Sequence, residues 1–308
     1  MVKIGIIGAD SPVAGEILRI LIHHPEVEVL SLYAPSLLGR NVSSAHHGFI
    51  GENIVNFSDK IDPNDLDLII LSENSSLTNN LVSSLADNND LKLISLSKDW
   101  LSNSSFENIE IGLSEINRKA LVRGARVAYI PSAIVVATLV PLIPLANYLL
   151  LNSDINVELD LPKDLISEVD LKKEQEEIEH QLTQSQKSFK DSIILSVKEN
   201  VNSDRTLIAT LSLKNSLSID ELDKIYEGIY DDHNFTFIAN NEIIPEEVEG
   251  THKTVITLDK PDQDTLTIKV MADARMRGGA GDVVHVLNLF FGLHEKTGLT
   301  LKPSRFQR

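Results

Sequence analysis

The sequence predicts an α/β chain in which a doubly wound parallel sheet is followed by an α+β second domain. Three observations carry that expectation. Apolar runs of strand length alternate with helical periodicity up to residue 129, the pattern of parallel strands joined by crossover helices. The first run, Val2 to Ile7, turns through closely spaced glycines into a helix. After residue 151 the character changes: the runs at 155–160 and 191–198 alternate apolar with polar residues, as half-buried strands do.

In order along the chain, residues 2–7 read as a strand buried on both faces, and residues 13–23 as a helix with Ile17, Leu18, Ile20 and Leu21 on its apolar side. Further strands fall at 27–32, 67–71, 91–96 and 126–129, with a helix at 77–85. From Val127 to Leu151 no residue is charged, and such a length can span a bilayer. Pro131, Pro141 and Pro144, with polar Ser132, Thr138 and Asn147, favour a buried strand followed by a core helix. Strands follow at 155–160, 191–198, 208–213, 235–238 and 254–258, with a charged helix over 171–190. The helix at 219–230 takes Ser218 as its N-cap, and Glu221 completes a capping box. An apolar helix at 281–291 ends near Gly292. No internal repeat is present.

Composition narrows the function. At 308 residues and 42% hydrophobic content, the chain can bury a core in each of two domains. A formal net charge of −17 and no run of Lys and Arg argue against a nucleic-acid partner. The N-terminus has no signal-peptide pattern, so a cytoplasmic protein with no membrane association is expected. The cysteine count is zero, which excludes disulfides, thiolate metal sites and any cysteine nucleophile. The adjacent pairs His23-His24 and His46-His47 lack metal-ligand spacing; they read as exposed histidines near element ends, and no metal site is expected.

The turn after the first strand reads Gly5-x-x-Gly8-x-x-Ser11-x-x-Ala14-Gly15. Small residues there let a backbone approach a pyrophosphate and let helix and strand pack closely, as in a Rossmann-type dinucleotide site. The expected cofactor contacts are Gly8, Asp10, Ser11, Pro12 and Val13, with Arg40 and Gly281 added. The domain boundaries expected are 1–131 for dinucleotide binding, 132–278 for the α+β domain, and 279–308 for a helix and tail.

Longer stretches carry a resemblance. The opening loop with His24-Pro-Glu-Val-Glu28, then Leu96-Ser-Lys-Asp99-Trp100 and Gly112-Leu-Ser-Glu115-Ile-Asn117-Arg118, recur in order. So do Asp273 to Arg277, Gly278-Gly-Ala-Gly281 and Asn288-Leu-Phe-Phe-Gly292-Leu-His-Glu295-Lys-Thr297-Gly298-Leu. Together they resemble the N-acetyl-gamma-glutamyl-phosphate reductases, within the aspartate-semialdehyde dehydrogenase-like superfamily. The resemblance implies that 132–278 is a semialdehyde dehydrogenase-type domain for substrate and dimerisation, and that the helix and tail of 279–308 return to the first domain. It also implies NADP or NAD as cofactor, a small-molecule ligand, and a homodimer or homotetramer. Several positions depart from the family pattern. Pro35 stands where an Arg is common, Ser11 and Ala14 replace loop glycines, and Ser72-Glu73-Asn74-Ser75-Ser76 differs from Ala-Leu-Pro-His-Gly. Ser11 would be strained if its turn needed a positive φ.

The family's chemistry implies a cysteine thiolate that attacks an acyl phosphate, followed by hydride reduction of the thioester. Ile130-Pro-Ser-Ala133-Ile-Val-Val136 stands where that thiol would lie, so Ala133 occupies the nucleophile's position. Ser132 beside it is expected to point elsewhere, a hydroxyl with no base. Matching Arg205-Thr-Leu-Ile-Ala-Thr210 to a family strand places Glu199 near the base position. Leu161 to Ile166 replaces the substrate loop, and Glu177-Ile-Glu179-His180-Gln-Leu182 retains a family helix without the histidines that precede it. Two readings follow. One is a pseudoenzyme or binding module; the other is an NAD(P)-dependent oxidoreductase that moves hydride to a small carbonyl substrate without a covalent intermediate. In the second, Glu199, Arg205 and Arg277 orient the substrate, against the alternative that they form a surface ion-pair cluster.

Overall fold

A computed structural model describes residues 1–73, 90–101, 106, 108–167, 169–241 and 243–303. The helix expected at 77–85 and the loop residues Asn74 to Ser76 lie outside these. The chain divides into two compact units, one of Met1–Pro131 with Gly279–Thr300 and one of Ser132–Gly278 with the tail from Leu301.

The first unit is built on a parallel sheet. Its strands are β1 (Val2–Ile7), β2 (Val27–Tyr33), β3 (Phe57–Ser58), β4 (Leu68–Leu71), β5 (Lys92–Ser95), β6 (Glu110–Ile111) and β7 (Val127–Tyr129), in the order β3-β2-β1-β4-β5-β7-β6. Ile4 of β1 pairs with Val29 on one side and Leu68 on the other. β4 and, from Ile4 onward, β1 are buried on both faces, which explains their apolar runs. Helix α1 (Pro12–Leu21) starts with proline at its first position and buries Ala14, Ile17, Leu18, Ile20 and Leu21. It ends two residues before His23 because Pro25 disfavours helical geometry in the residue before it. Helix α2 (Ser114–Val122) follows β6.

The second unit has a six-stranded mixed sheet. Its strands are β8 (Ile155–Leu161), β9 (Ile193–Glu199), β10 (Thr206–Lys214), β11 (Thr236–Ile238), β12 (Thr254–Asp259) and β13 (Thr265–Asp273), in the order β11-β12-β13-β10-β8-β9. β13 is absent from the sequence expectations, yet it pairs with β10 along nine positions, Thr206↔Asp273 through Lys214↔Thr265. Its own alternation, Thr-Leu-Thr-Ile-Lys-Val, was the available signal. Strands β3 and β6 have two residues each, too few to show any period.

Helix α3 (Ala133–Asn147) is apolar on every side and buried from Ala133 to Ala146. It packs on helix α4 (Leu171–Ser185), on helix α5 (Ile219–Tyr230) and on strands β10 and β13. Helix α4 stops at Ser185, short of the expected Lys190, and α5 has the capping box of Ser218 and Glu221. Two prolines interrupt the hydrogen bonding of α3. Pro144 has no N–H to give the carbonyl of Val140, four residues earlier. The hydroxyl of Tyr230 donates to that carbonyl, and Tyr226 donates to the carbonyl of Pro141 at 2.6 Å. No helix among the described residues is long and apolar enough to cross a membrane.

At the end of the chain, helix α6 (Gly281–Phe290) returns to the first unit, and all ten of its residues are buried. The side chain of Asn288 accepts from His24 Nε2 at 3.0 Å and donates to the carbonyls of Glu295 and Thr297. His24 is therefore buried and bonded, which corrects the expectation that both histidine pairs are exposed. Burial holds its pKa below the usual histidine range.

Candidate functional site

Two groups of residues merit description, one in each unit. In the first, the turn from β1 to α1 brings Gly8, Asp10, Ser11, Pro12 and Val13 together. Gly8 has φ +74°, and a Cβ there would stand 2.4 Å from the Cβ of Glu73, so only glycine fits. Ser11 does not need a positive φ. It sits at φ −70° as the N-cap of α1, and its hydroxyl accepts from the N–H of Ala14, so the strain considered for it does not arise. That hydroxyl also donates to Ser72 Oγ at 3.2 Å. Ser72 in turn donates to the carbonyls of Ile7 and Gly8. Pro12 has no N–H, while the N–H groups of Asp10 and Val13 have no hydrogen-bond partner among the described residues.

The far side of this turn is set by residues the sequence reading missed. His46 Nε2 lies 2.8 Å from the carbonyl of Ala9. A Cβ on Gly15 would come within 2.8 Å of the His46 ring, so that glycine permits the ring to pack against α1. Ser36, just past β2, donates to the Asp10 carboxylate at 3.2 Å. Arg40 is exposed, with its backbone joined to Phe57 beside β3. Gly281 is the buried first residue of α6.

In the second unit, Ala133 is the first residue of α3 and Ser132 is its N-cap. Gly278, at φ +70°, lies directly against this peptide: a Cβ there would be 2.2 Å from the Ala133 nitrogen. Ser132 is not a hydroxyl without a base. Its Oγ donates to Glu174 Oε2 at 2.5 Å and accepts from the N–H of Val135 at 3.2 Å. Glu174 lies in the first turn of α4. Burial pushes its pKa up; the hydrogen bond from Ser132 pulls it down, and the charges of Glu177 and Asp170 push it further up. The sequence clue to Glu174 was its place just ahead of Glu177, where the resemblance noted missing histidines.

Glu199, at the end of β9, is exposed and pairs with Leu161 through the backbone. Arg205 Nε lies 2.8 Å from Asp273 Oδ2. Asp273 is fully buried and also accepts from the N–H groups of Gly250 and Arg275. Arg277 is 1% exposed, with Nη1 3.4 Å from His252 Nε2. Arg277 is therefore no member of a surface ion-pair cluster.

Comparison with known proteins decides the family. Residues 3–123 match the semialdehyde dehydrogenase NAD binding domain. The chain is 32% identical to the N-acetyl-gamma-glutamyl-phosphate reductase of Parabacteroides distasonis over 326 aligned residues, 99% of this chain and 100% of the relative. The chain belongs to the N-acetyl-gamma-glutamyl-phosphate reductase family. The reductase of Phocaeicola vulgatus is 31% identical over 325 residues with the same coverage. Among solved structures, aspartate semialdehyde dehydrogenase II of Vibrio cholerae, complexed with ASA, superposes with a TM-score of 0.70 at 13% identity, covering 95% of this chain and 98% of that one. The aspartate semialdehyde dehydrogenase of Candida albicans, with NADP, gives 0.66 at 11% identity over 94% and 99%. These neighbours share the fold. Within the family, this chain of 308 residues has no cysteine.

Proposed function

We propose that this member of the N-acetyl-gamma-glutamyl-phosphate reductase family retains a nicotinamide dinucleotide site and does not run the thioester-forming reduction, serving as a binding module. One observation carries the second half. The head of α3 presents the methyl group of Ala133, 6% exposed, where the family resemblance calls for a thiol, and the chain has no cysteine to supply one from elsewhere. A methyl group forms no acyl intermediate.

The residues of the β1–α1 turn suit the pyrophosphate of a dinucleotide. The N–H groups of Asp10 and Val13 are available at the start of a ten-residue helix, and Gly8 keeps the turn tight. When bound, the nicotinamide would supply hydride. The Asp10 carboxylate, which accepts from Ser36 just past β2, places negative charge beside that strand end and would repel a 2′-phosphate there, which supports NAD over NADP. Arg40 would favour the phosphate instead, but it is exposed and pays more side-chain entropy to engage.

The expected result is a rise in Tm with NADH, larger than with NADPH, because a ligand that binds only the folded state stabilises it by mass action. With N-acetyl-glutamyl phosphate and either reduced cofactor, no cofactor should be consumed. Consumption of cofactor would refute the proposal. The non-covalent oxidoreductase reading draws no added support from its residues: Glu199 is exposed, and Arg205 is committed to buried Asp273.

A further inference from the structure

We propose that Ser132 and Glu174 form a nucleophile–base pair that transfers the acyl group of an activated acyl compound to water. The proposal rests on the reading that thioester reduction is lost, and it concerns the same segment at the head of α3. An N-cap serine needs only its oxygen as an acceptor. Here the oxygen caps Val135, while the proton is directed at a carboxylate from a different helix. That carboxylate is the group needed to receive the proton when Oγ attacks. Its environment makes it a better base than an exposed glutamate, because burial disfavours its charged form. Gly278 holds the Ser132–Ala133 peptide in place by direct backbone contact. The N–H groups of Ala133 and Ile134 have no partner among the described residues, so donors lie beside the nucleophile for the oxygen that gains charge.

The step balances without a redox partner. Ser132 Oγ bonds to the acyl carbon as its proton passes to Glu174, and the bond from the acyl carbon to the leaving oxygen breaks. The leaving oxygen departs as an anion, and Glu174 releases its proton to solvent. Water then attacks the serine ester, its proton passing to Glu174. Glu174 returns that proton to Oγ as the bond from the acyl carbon to Oγ breaks and the carboxylic acid forms. Among the described residues no second acid is hydrogen-bonded to Ser132, and the basic leaving group of an amide would depend on the single proton held by Glu174. The substrate class is therefore acyl phosphates or aryl esters, whose leaving oxygens depart as stable anions, and not amides.

The test uses the full chain with acetyl phosphate and with p-nitrophenyl acetate, read by product release and by mass spectrometry of the peptide holding Ser132. An acetyl group on Ser132 is expected, with acylation that rises with pH and levels off above the ordinary glutamate range. Glu174→Gln should slow acylation by about 10²-fold or more. Ser132→Asn keeps a capping acceptor and should retain the wild-type melting temperature while losing all acyl transfer. Acetylation elsewhere, a phosphoryl group on Ser132, or wild-type turnover in Ser132→Asn would overturn the proposal. Absence of any transfer would do so as well. Consumption of reduced nicotinamide with the acyl phosphate is a separate readout, and it would instead overturn the loss of thioester reduction.

Discussion

A change of one side chain alters what the head of α3 can do. Ala133 removes a nucleophile, while Ser132 and Glu174 place a hydroxyl on a half-buried carboxylate. The same carboxylate has a consequence for stability. Because burial raises the Glu174 pKa above its ordinary 4.5, folding favours the protonated form. Its contribution is fully present below the unfolded pKa and is lost as pH rises through the raised folded value. Above the raised value the carboxylate is charged in an environment that disfavours it. Glu174→Gln, neutral throughout, should be more stable than the wild type at pH 7, with the difference shrinking towards pH 4. Urea unfolding at the two pH values measures this. A variant less stable at pH 7 would mean that the charge-assisted bond from Ser132 outweighs the burial cost.

At the level of elements, helix α3 shows how an apolar sequence manages two internal prolines. Its carbonyl at Val140 loses its helical donor to Pro144, and Tyr230 of α5 supplies a hydroxyl in its place. Both ends of this contact are buried, so the carbonyl has no water to turn to. Tyr230→Phe keeps the ring and deletes the donor, leaving a buried acceptor unmet at a cost of about 1–3 kcal/mol. A fall in the urea midpoint without a change in its slope is the expected signature. An unchanged midpoint would mean that the helix finds another donor. The prolines were legible in the sequence, and so was the buried helix. The tyrosine that completes it was not, because it lies 90 residues away along the chain and no local period marks such a pairing.

The same limit governs what was legible of the whole molecule. Apolar runs revealed β1 and β4, alternation revealed β8 and β9, and Ser218 with Glu221 marked the start of α5. The candidate site was half legible: Ala133 and the zero cysteine count could be read directly. The bond from Ser132 to Glu174 spans 42 positions, and it required the packing of α3 on α4 to be known. Chain connectivity gives the last prediction. The first unit is discontinuous, since α6 enters it only after residues 132–278 of the second unit. That helix brings Asn288 to His24, a carbonyl of Phe290 to Lys92 and, beyond its end, Glu295 to Arg118. It also buries Val283, Val284, Val286, Leu287 and Leu289. Each such side chain contributes about 1.5–3 kcal/mol when fully buried, against a total stability of about 5–15 kcal/mol for a domain. A chain truncated after Gly278 should therefore lose hydrogen-exchange protection at the β1 and β4 amides, which are central in the parallel sheet. If those amides keep their protection, the first 131 residues fold without α6, and the long-range bonds of Asn288 add little to the unit.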